Sequence, residues 1–227
     1  MSVQTKATQA GFQDYQGATF SEEEQLFRSR DFFNYMNQRR SLRAFSEKKI
    51  AKKVIENILK TASSAPSGAH KQPWNFAVVT NPQLKTEIRK AAEKEEYENY
   101  HGRMSEDWLE DLEKFDTDWK KPFLEIAPAL IVVFKKSYDV IEGKKSKNYY
   151  VNESVGLATG FLLMAIHQAG LVALTHTPSP LNFLSKVLNR PKEEKPFLLI
   201  PIGYPAEGAK VPSLKRKSLD KISTWYE

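Results

Sequence analysis

The sequence predicts a central β-sheet covered on both faces by helices. Short apolar runs alternate with segments of helical period, and the strand candidates are apolar at nearly every position instead of every second one. A strand with no polar side cannot face water, so it lies between two layers. No internal repeat or Pro/Gly-rich linker divides the 227 residues, a length that buries a sizeable core unaided.

In chain order, residues 1–20 are polar, mixed in sign and aperiodic, which predicts a flexible N-terminal arm ahead of a single domain over 21–227. Ser29 is placed as the cap of a first helix ending at Gln38, with Phe32, Phe33 and Met36 on one face. Val54, Ile55, Ile58, Leu59 and Ala62 recur at helical spacing within 50–62. Phe76–Val79 is a short buried strand, and Pro82 opens a helix carrying Leu84, Ile88, Ala91 and Ala92. From about 93 to 122 the chain is a polar insertion. Ala129–Phe134 is the clearest strand. A helix over 152–169, a strand over 171–175, a short helix near 182–189 and a strand over 197–202 follow. The apolar stretch Val155–Leu174 approaches the length of a membrane span, but Thr159, His167, Gln168 and three glycines interrupt it. Gly170 fits a helix C-cap there. The first residues hold no apolar targeting segment, so a cytoplasmic protein without a membrane partner is expected.

There are 34 Lys and Arg against 28 Asp and Glu, a formal charge of +6 that suits a phosphate-bearing or acidic ligand. The absence of cysteine excludes disulfides, thiol nucleophiles, iron–sulfur clusters and Cys-ligated zinc; the four histidines are too scattered to predict a metal site. No glycine-rich dinucleotide turn, Walker A loop, GxSxG or HExxH is present.

Three segments carry candidate chemistry. Arg39-Arg40-Ser41-Leu42-Arg43, with Lys215-Arg216-Lys217 far downstream, offers guanidiniums and a hydroxyl to a phosphate; two solvated charge runs are the bland alternative. Ser63–His70, with its Pro66-Ser67-Gly68 turn before Pro73-Trp74, lets backbone N–H groups approach a ligand, or is a plain loop. In the insertion, Glu96 and Tyr100 share a helix face and Lys121 follows. An amino-acid zwitterion needs an anion for its ammonium and a cation for its carboxylate, which Glu96 and Lys121 supply, with Tyr100 beside them; a charged surface helix has the same composition.

Taken together, the R-x-S-x-R run, Pro66-Ser67 through Pro73-Trp74, and Arg216 resemble the FMN-dependent nitroreductase superfamily. Ala65–His70, Gly203-Tyr204-Pro205 and Val211–Lys217 are similar to its iodotyrosine deiodinase (halotyrosine dehalogenase) branch, in a soluble, bacterial form, over roughly residues 22–221. The resemblance implies an α+β, three-layer α-β-α nitroreductase-like fold with a central mixed sheet, an active-site lid over 93–122, and a homodimer with FMN at the interface. Residues 218–227 would form a C-terminal arm onto the partner subunit. It places Arg39, Arg40, Ser41 and Arg216 at the FMN phosphate and Arg43 at the pyrimidine edge. Pro66, Ser67 and Gly68 would lie along the ring, with the Ala69 N–H on the substrate phenolate. Glu96, Tyr100 and Lys121 become a zwitterion clamp. Thr175 would hydrogen-bond flavin N5 as the catalytic hydroxyl, with His176, which departs from the threonine common there, and Thr177 beside it. His70 takes a structural place in its loop.

The implied activity is reductive dehalogenation of 3-halotyrosines, iodotyrosine and diiodotyrosine to tyrosine plus halide, through one-electron flavin steps. NAD(P)H would be the ultimate reductant, directly or through a reductase donor. The alternatives are a general FMN nitroreductase or quinone reductase, and a non-catalytic flavin- or nucleotide-binding protein. No nucleic-acid partner and no metal is expected.

Overall fold

The computed structural model describes residues 11–227, which form two compact units meeting in sequence at Gln38/Arg39. The N-terminal half of the expected arm, residues 1–10, lies outside the described residues. Residues 12–20 are exposed and carry no helix or strand.

The first unit is built on α1 (Glu22–Asn37). Ser21, not Ser29, is its cap: the Ser21 hydroxyl accepts from the Glu24 N–H at 3.3 Å. Ser21 and Glu24 have capping-box spacing, and Glu22, Glu23 and Glu24 put negative charge on the positive end of the helix dipole. Those three acids extend the helix upstream of the expected start. Ser29 is left inside, donating to the Leu26 carbonyl at 3.1 Å.

The second unit runs α2 (Lys52–Ser63), β1 (Trp74–Val79), α3 (Pro82–Glu98), α4 (Glu106–Glu113), α5 (Phe123–Ile126), β2 (Ala129–Lys136), β3 (Tyr138–Ile141), β4 (Lys144–Lys147), α6 (Val151–Gln168), β5 (Val172–Ala173), α7 (Phe183–Val187) and β6 (Glu194–Gly203). The main sheet has strand order β1-β2-β6-β5, antiparallel in every strand pair and mixed through one parallel bridge between Ser41 and Ala173. Period-2 alternation sorts the β2 side chains. Ile131 and Val133 join Ile55, Ile58, Val155, Leu162 and Ile166 under α2 and α6. Leu130, Val132 and Phe134 join Ile88, Ala92, Leu124 and Leu184 under α3, α5 and α7. Both faces of β2 are closed, as its unbroken apolar run requires.

Two elements differ from the sequence expectation. The strand expected over 171–175 is regular only at Val172 and Ala173, but the backbone stays on β6: the Leu174 N–H bonds the Pro201 carbonyl at 3.3 Å and His176 bridges Leu199. The β3–β4 hairpin was not expected at all, because Lys144-Lys145-Ser146-Lys147 carries no apolar run. Its signal was the turn: Glu142 (φ 49°) and Gly143 (φ 77°) are both left-handed, as a two-residue hairpin of primed type demands. Gly170 is the left-handed residue closing α6 (φ 70°), as expected. Among the described residues, no helix is long and apolar enough to cross a membrane.

Candidate active site

The basic segment is pinned where the sheet ends. Leu42 turns into the core and its N–H bonds the Ala173 carbonyl at 3.1 Å, so alternation sends Ser41 and Arg43 the other way. They open onto a cavity of about 400 Å³ lined by Arg39, Arg40, Ser41, Arg43, Thr175, Lys215 and Arg216, with Phe115, Leu174, Pro212 and Leu214. The two basic clusters, 39–43 and 215–216, therefore converge although they are far apart in sequence. Arg216 donates to the Arg39 carbonyl at 3.0 Å, and Arg40 donates to the Pro212 carbonyl. No acid lines this cavity. Burial, then the charges of Arg216 and Arg40, lower the Arg39 pKa, the expected result of gathering cations with no anion among them.

A second cavity of about 200 Å³ shares Arg43, Leu174 and Thr175 with the first. Its wall holds Glu96, Tyr100, Lys121, His176 and Thr177, with Met104, Trp108, Leu112 and Phe123 as the apolar part. Glu96 sits near the end of α3 and Lys121 where the chain comes back from the insertion. Their charged groups stand 3.7 Å apart, with side chains only 7% and 5% exposed. Burial raises the Glu96 pKa and lowers that of Lys121, and each is partly restored by the other. Lys121 Nζ also donates to Thr117 Oγ1 at 3.3 Å and to the Asp118 carbonyl. The Tyr100 hydroxyl donates to the Thr117 carbonyl at 3.2 Å, and its pKa is raised by burial and by Glu96. A buried anion and cation facing one space have the charges to receive a molecule carrying both.

The structure thus brings together Arg39, Arg40, Ser41, Arg43, Thr175 and Arg216 in the first cavity. Glu96, Tyr100, Lys121, Thr175, His176 and Thr177 meet in the second. Pro66, Ser67, Gly68 and Ala69 line neither cavity. Their loop packs on the start of α6: the Gly68 N–H reaches Ser154 Oγ at 3.3 Å, and a Cβ on Gly68 would stand 3.0 Å from the Tyr149 carbonyl oxygen. Ala69 (φ 49°), His70 (φ 55°) and Gln72 (φ 47°) are all left-handed, a strained run for residues with side chains. Ser67 Oγ braces it by accepting the Gln72 N–H at 2.9 Å. His70 and Gln72 side chains meet at 3.0 Å.

Sequence reasoning missed Phe115 and Phe123. The Phe115 ring lies 5.4 Å from the Arg43 guanidinium, and Phe123 meets the His176 ring edge-on at 5.5 Å. Neither belongs to a periodic run, so only the closure of the insertion over residues 43 and 176 reveals them.

A nitroreductase family model matches residues 36–204. An iodotyrosine deiodinase of Haliscomenobacter hydrossis is 63% identical over 95% of this chain and 97% of its own. The chain belongs to the nitroreductase family, on its iodotyrosine deiodinase branch. Iodotyrosine deiodinase of Hydra vulgaris is 47% identical over 95% of this chain and 80% of its own length. Iodotyrosine deiodinase 1 of Homo sapiens is 46% identical, with coverages of 89% and 71%. A crystal structure of oxidized iodotyrosine deiodinase bound to FMN and 3-iodo-L-tyrosine aligns with a TM-score of 0.73 at 30% identity, covering 85% of this chain and 99% of that one. The three-layer fold expected from the sequence is the fold observed.

Proposed function

We propose that this chain is an FMN-dependent iodotyrosine deiodinase that removes halide reductively from 3-halotyrosines. The observation that carries the reading is the buried Glu96–Lys121 pair, at the wall of a cavity that shares Arg43, Leu174 and Thr175 with an acid-free cavity of arginines. A flavin phosphate fits the arginines, because Arg39 and Arg216 bring guanidinium donors and Ser41 a hydroxyl to a space lined by no acid. Bound FMN would supply the electrons, two in all with one proton, for replacing a carbon–halogen bond by carbon–hydrogen.

The residues of this chain do the rest. Arg43 carries positive charge into the passage between the two cavities, where it favours an anionic ring. Thr175 presents a hydroxyl at the same junction. Glu96 takes the substrate ammonium and Lys121 its carboxylate. Each charge exchanges its present partner for one on the ligand, and the desolvation cost already met in the closed pair is not incurred again. Tyr100 borders the same end, and Trp108 and Leu112 exclude water from the ring. The insertion 93–122 acts as a lid. The Ala69 N–H, in its left-handed loop, meets the phenolate.

The protein works as a cytoplasmic homodimer with FMN between subunits, reduced by NAD(P)H directly or through a reductase donor. Support for the dimer lies in the separation of loop 66–69 from the arginine cavity, and in Ile222, Trp225 and Tyr226 standing exposed in the C-terminal arm 218–227.

Purified protein should show a flavin spectrum. Dithionite-reduced protein titrated anaerobically with diiodotyrosine should then reoxidise with release of iodide. A flavin that stays reduced with no iodide formed sinks the deiodinase reading and leaves a general nitroreductase.

A further inference from the structure

We propose that Glu93 is a positioning residue that sets Lys121 for the carboxylate of an amino-acid substrate, with Arg89 holding Glu93 in place. The proposal rests on the clamp reading given above.

Lys121 is reached only after the chain has left α3, crossed α4 and returned. Its side-chain contacts to Thr117 and Asp118 are local and travel with the insertion. Its main-chain N–H is held by one carboxylate of α3: Glu93 Oε1 accepts the Lys121 N–H at 2.6 Å and Arg89 Nε at 2.8 Å. Arg89 reaches on to Glu125 Oε2 at 3.4 Å. Lys85, one further turn back, donates to the carbonyls of Glu125 at 2.6 Å and Ala127 at 2.8 Å. Residues 85, 89 and 93 recur every four positions, so they form one flank of α3. That flank moors the whole segment 121–127.

Glu93 precedes Glu96 by three residues on the same helix. A single rigid element therefore carries one half of the clamp in its own sequence and holds the other half by a hydrogen bond. The spacing between anion and cation is set by α3, independently of the path the insertion takes between them. The bond is charge-assisted and short, and its acceptor side chain is 14% exposed, so solvent competes weakly for it. The Arg89 pKa is raised, chiefly by its bond to Glu93.

The test uses the FMN-loaded protein and two substrates, iodotyrosine and a nitroaromatic with no amino-acid part. Glu93→Ala should raise the iodotyrosine KM about 10-fold with little change in kcat, the scale of one lost hydrogen bond to a charged group. The ratio of kcat/KM for iodotyrosine over the nitroaromatic should fall by a similar factor. Glu93→Gln retains the acceptor oxygen and should recover most of the loss. If Glu93→Ala does not fold, Arg89→Met should show the same selectivity loss at smaller size. Equal losses on both substrates, or none on either, overturn the proposal. Glu96→Gln is measured alongside. If it weakens iodotyrosine while Glu93→Ala does not, only the positioning role fails; if it leaves iodotyrosine unaffected, the clamp itself fails and Glu93 with it.

Discussion

His176 shows how far one side chain can be taken from its solution behaviour. Its main chain is locked to β6, with its N–H on the Leu199 carbonyl at 2.8 Å and the Leu199 N–H on its own carbonyl at 3.2 Å. The ring is buried, and Nε2 meets no hydrogen-bond partner. Burial first, then the positive charges of Lys121 and Arg43, bring its pKa down to about 3. The unfolded chain binds a proton at His176 below pH 6.5 while the folded chain does not. Stability from this group is therefore complete above 6.5 and is lost as pH falls toward 3. Between pH 7 and 4.5 the loss amounts to roughly 2–3 kcal/mol. Denaturant unfolding of His176→Thr at both pH values should show that part of the acid sensitivity removed; an unchanged difference between the two pH values refutes the assignment. The sequence showed only that a histidine stands beside Thr175. Its neutrality depends first on burial and then on Lys121 and Arg43, which approach from two other segments.

At the scale of elements, β2 was the most legible because its physics is local. Six apolar residues in a row, Ala129 to Phe134, cannot sit at a surface, and the structure buries all of them. Leu130 belongs to the layer under α3, the helix that carries the clamp. Leu130→Ala should cost about 2–5 kcal/mol, read as a drop in the urea midpoint at constant slope. A loss below about 1 kcal/mol would mean that this face is not packed as described. The β3–β4 hairpin lay at the other extreme. Its second strand is polar, and it depends on a two-residue turn and pairing, which leave no apolar pattern to find. The strand expected over 171–175 lies between: it is regular only at Val172 and Ala173, yet Leu174 and His176 still bond β6.

For the whole molecule, the arrangement of the site has a consequence for assembly. Loop 66–69 does not line the arginine cavity, and the proposed dimer would let two copies each supply one part of a flavin site. Arg39→Ala should impair the first part. Gly68→Ala, whose Cβ meets the Tyr149 carbonyl at 3.0 Å, should impair the second. Each variant alone should lose most activity. Randomly mixed subunits should regain about a quarter of the wild-type rate, since half the dimers are mixed and each mixed dimer carries one intact site. No recovery on mixing, with dimers exchanged, would place both parts in one subunit.

The same division separates what sequence alone determined from what it did not. Covered strands, the helix at Pro82, the Gly170 cap and the four-residue spacing of Glu96 and Tyr100 follow from short-range rules, because chain geometry over a few residues decides which face a side chain takes. Family motifs added the place of Arg216 beside Arg39. Three features needed the folded chain: the convergence of two basic clusters around a space without an acid, the 3.7 Å approach of Glu96 to Lys121, and the bond from Glu93 that holds Lys121 there. Each joins residues from separate segments, and electrostatics acts on distance in space, with burial setting its strength. Neither quantity is written in local order.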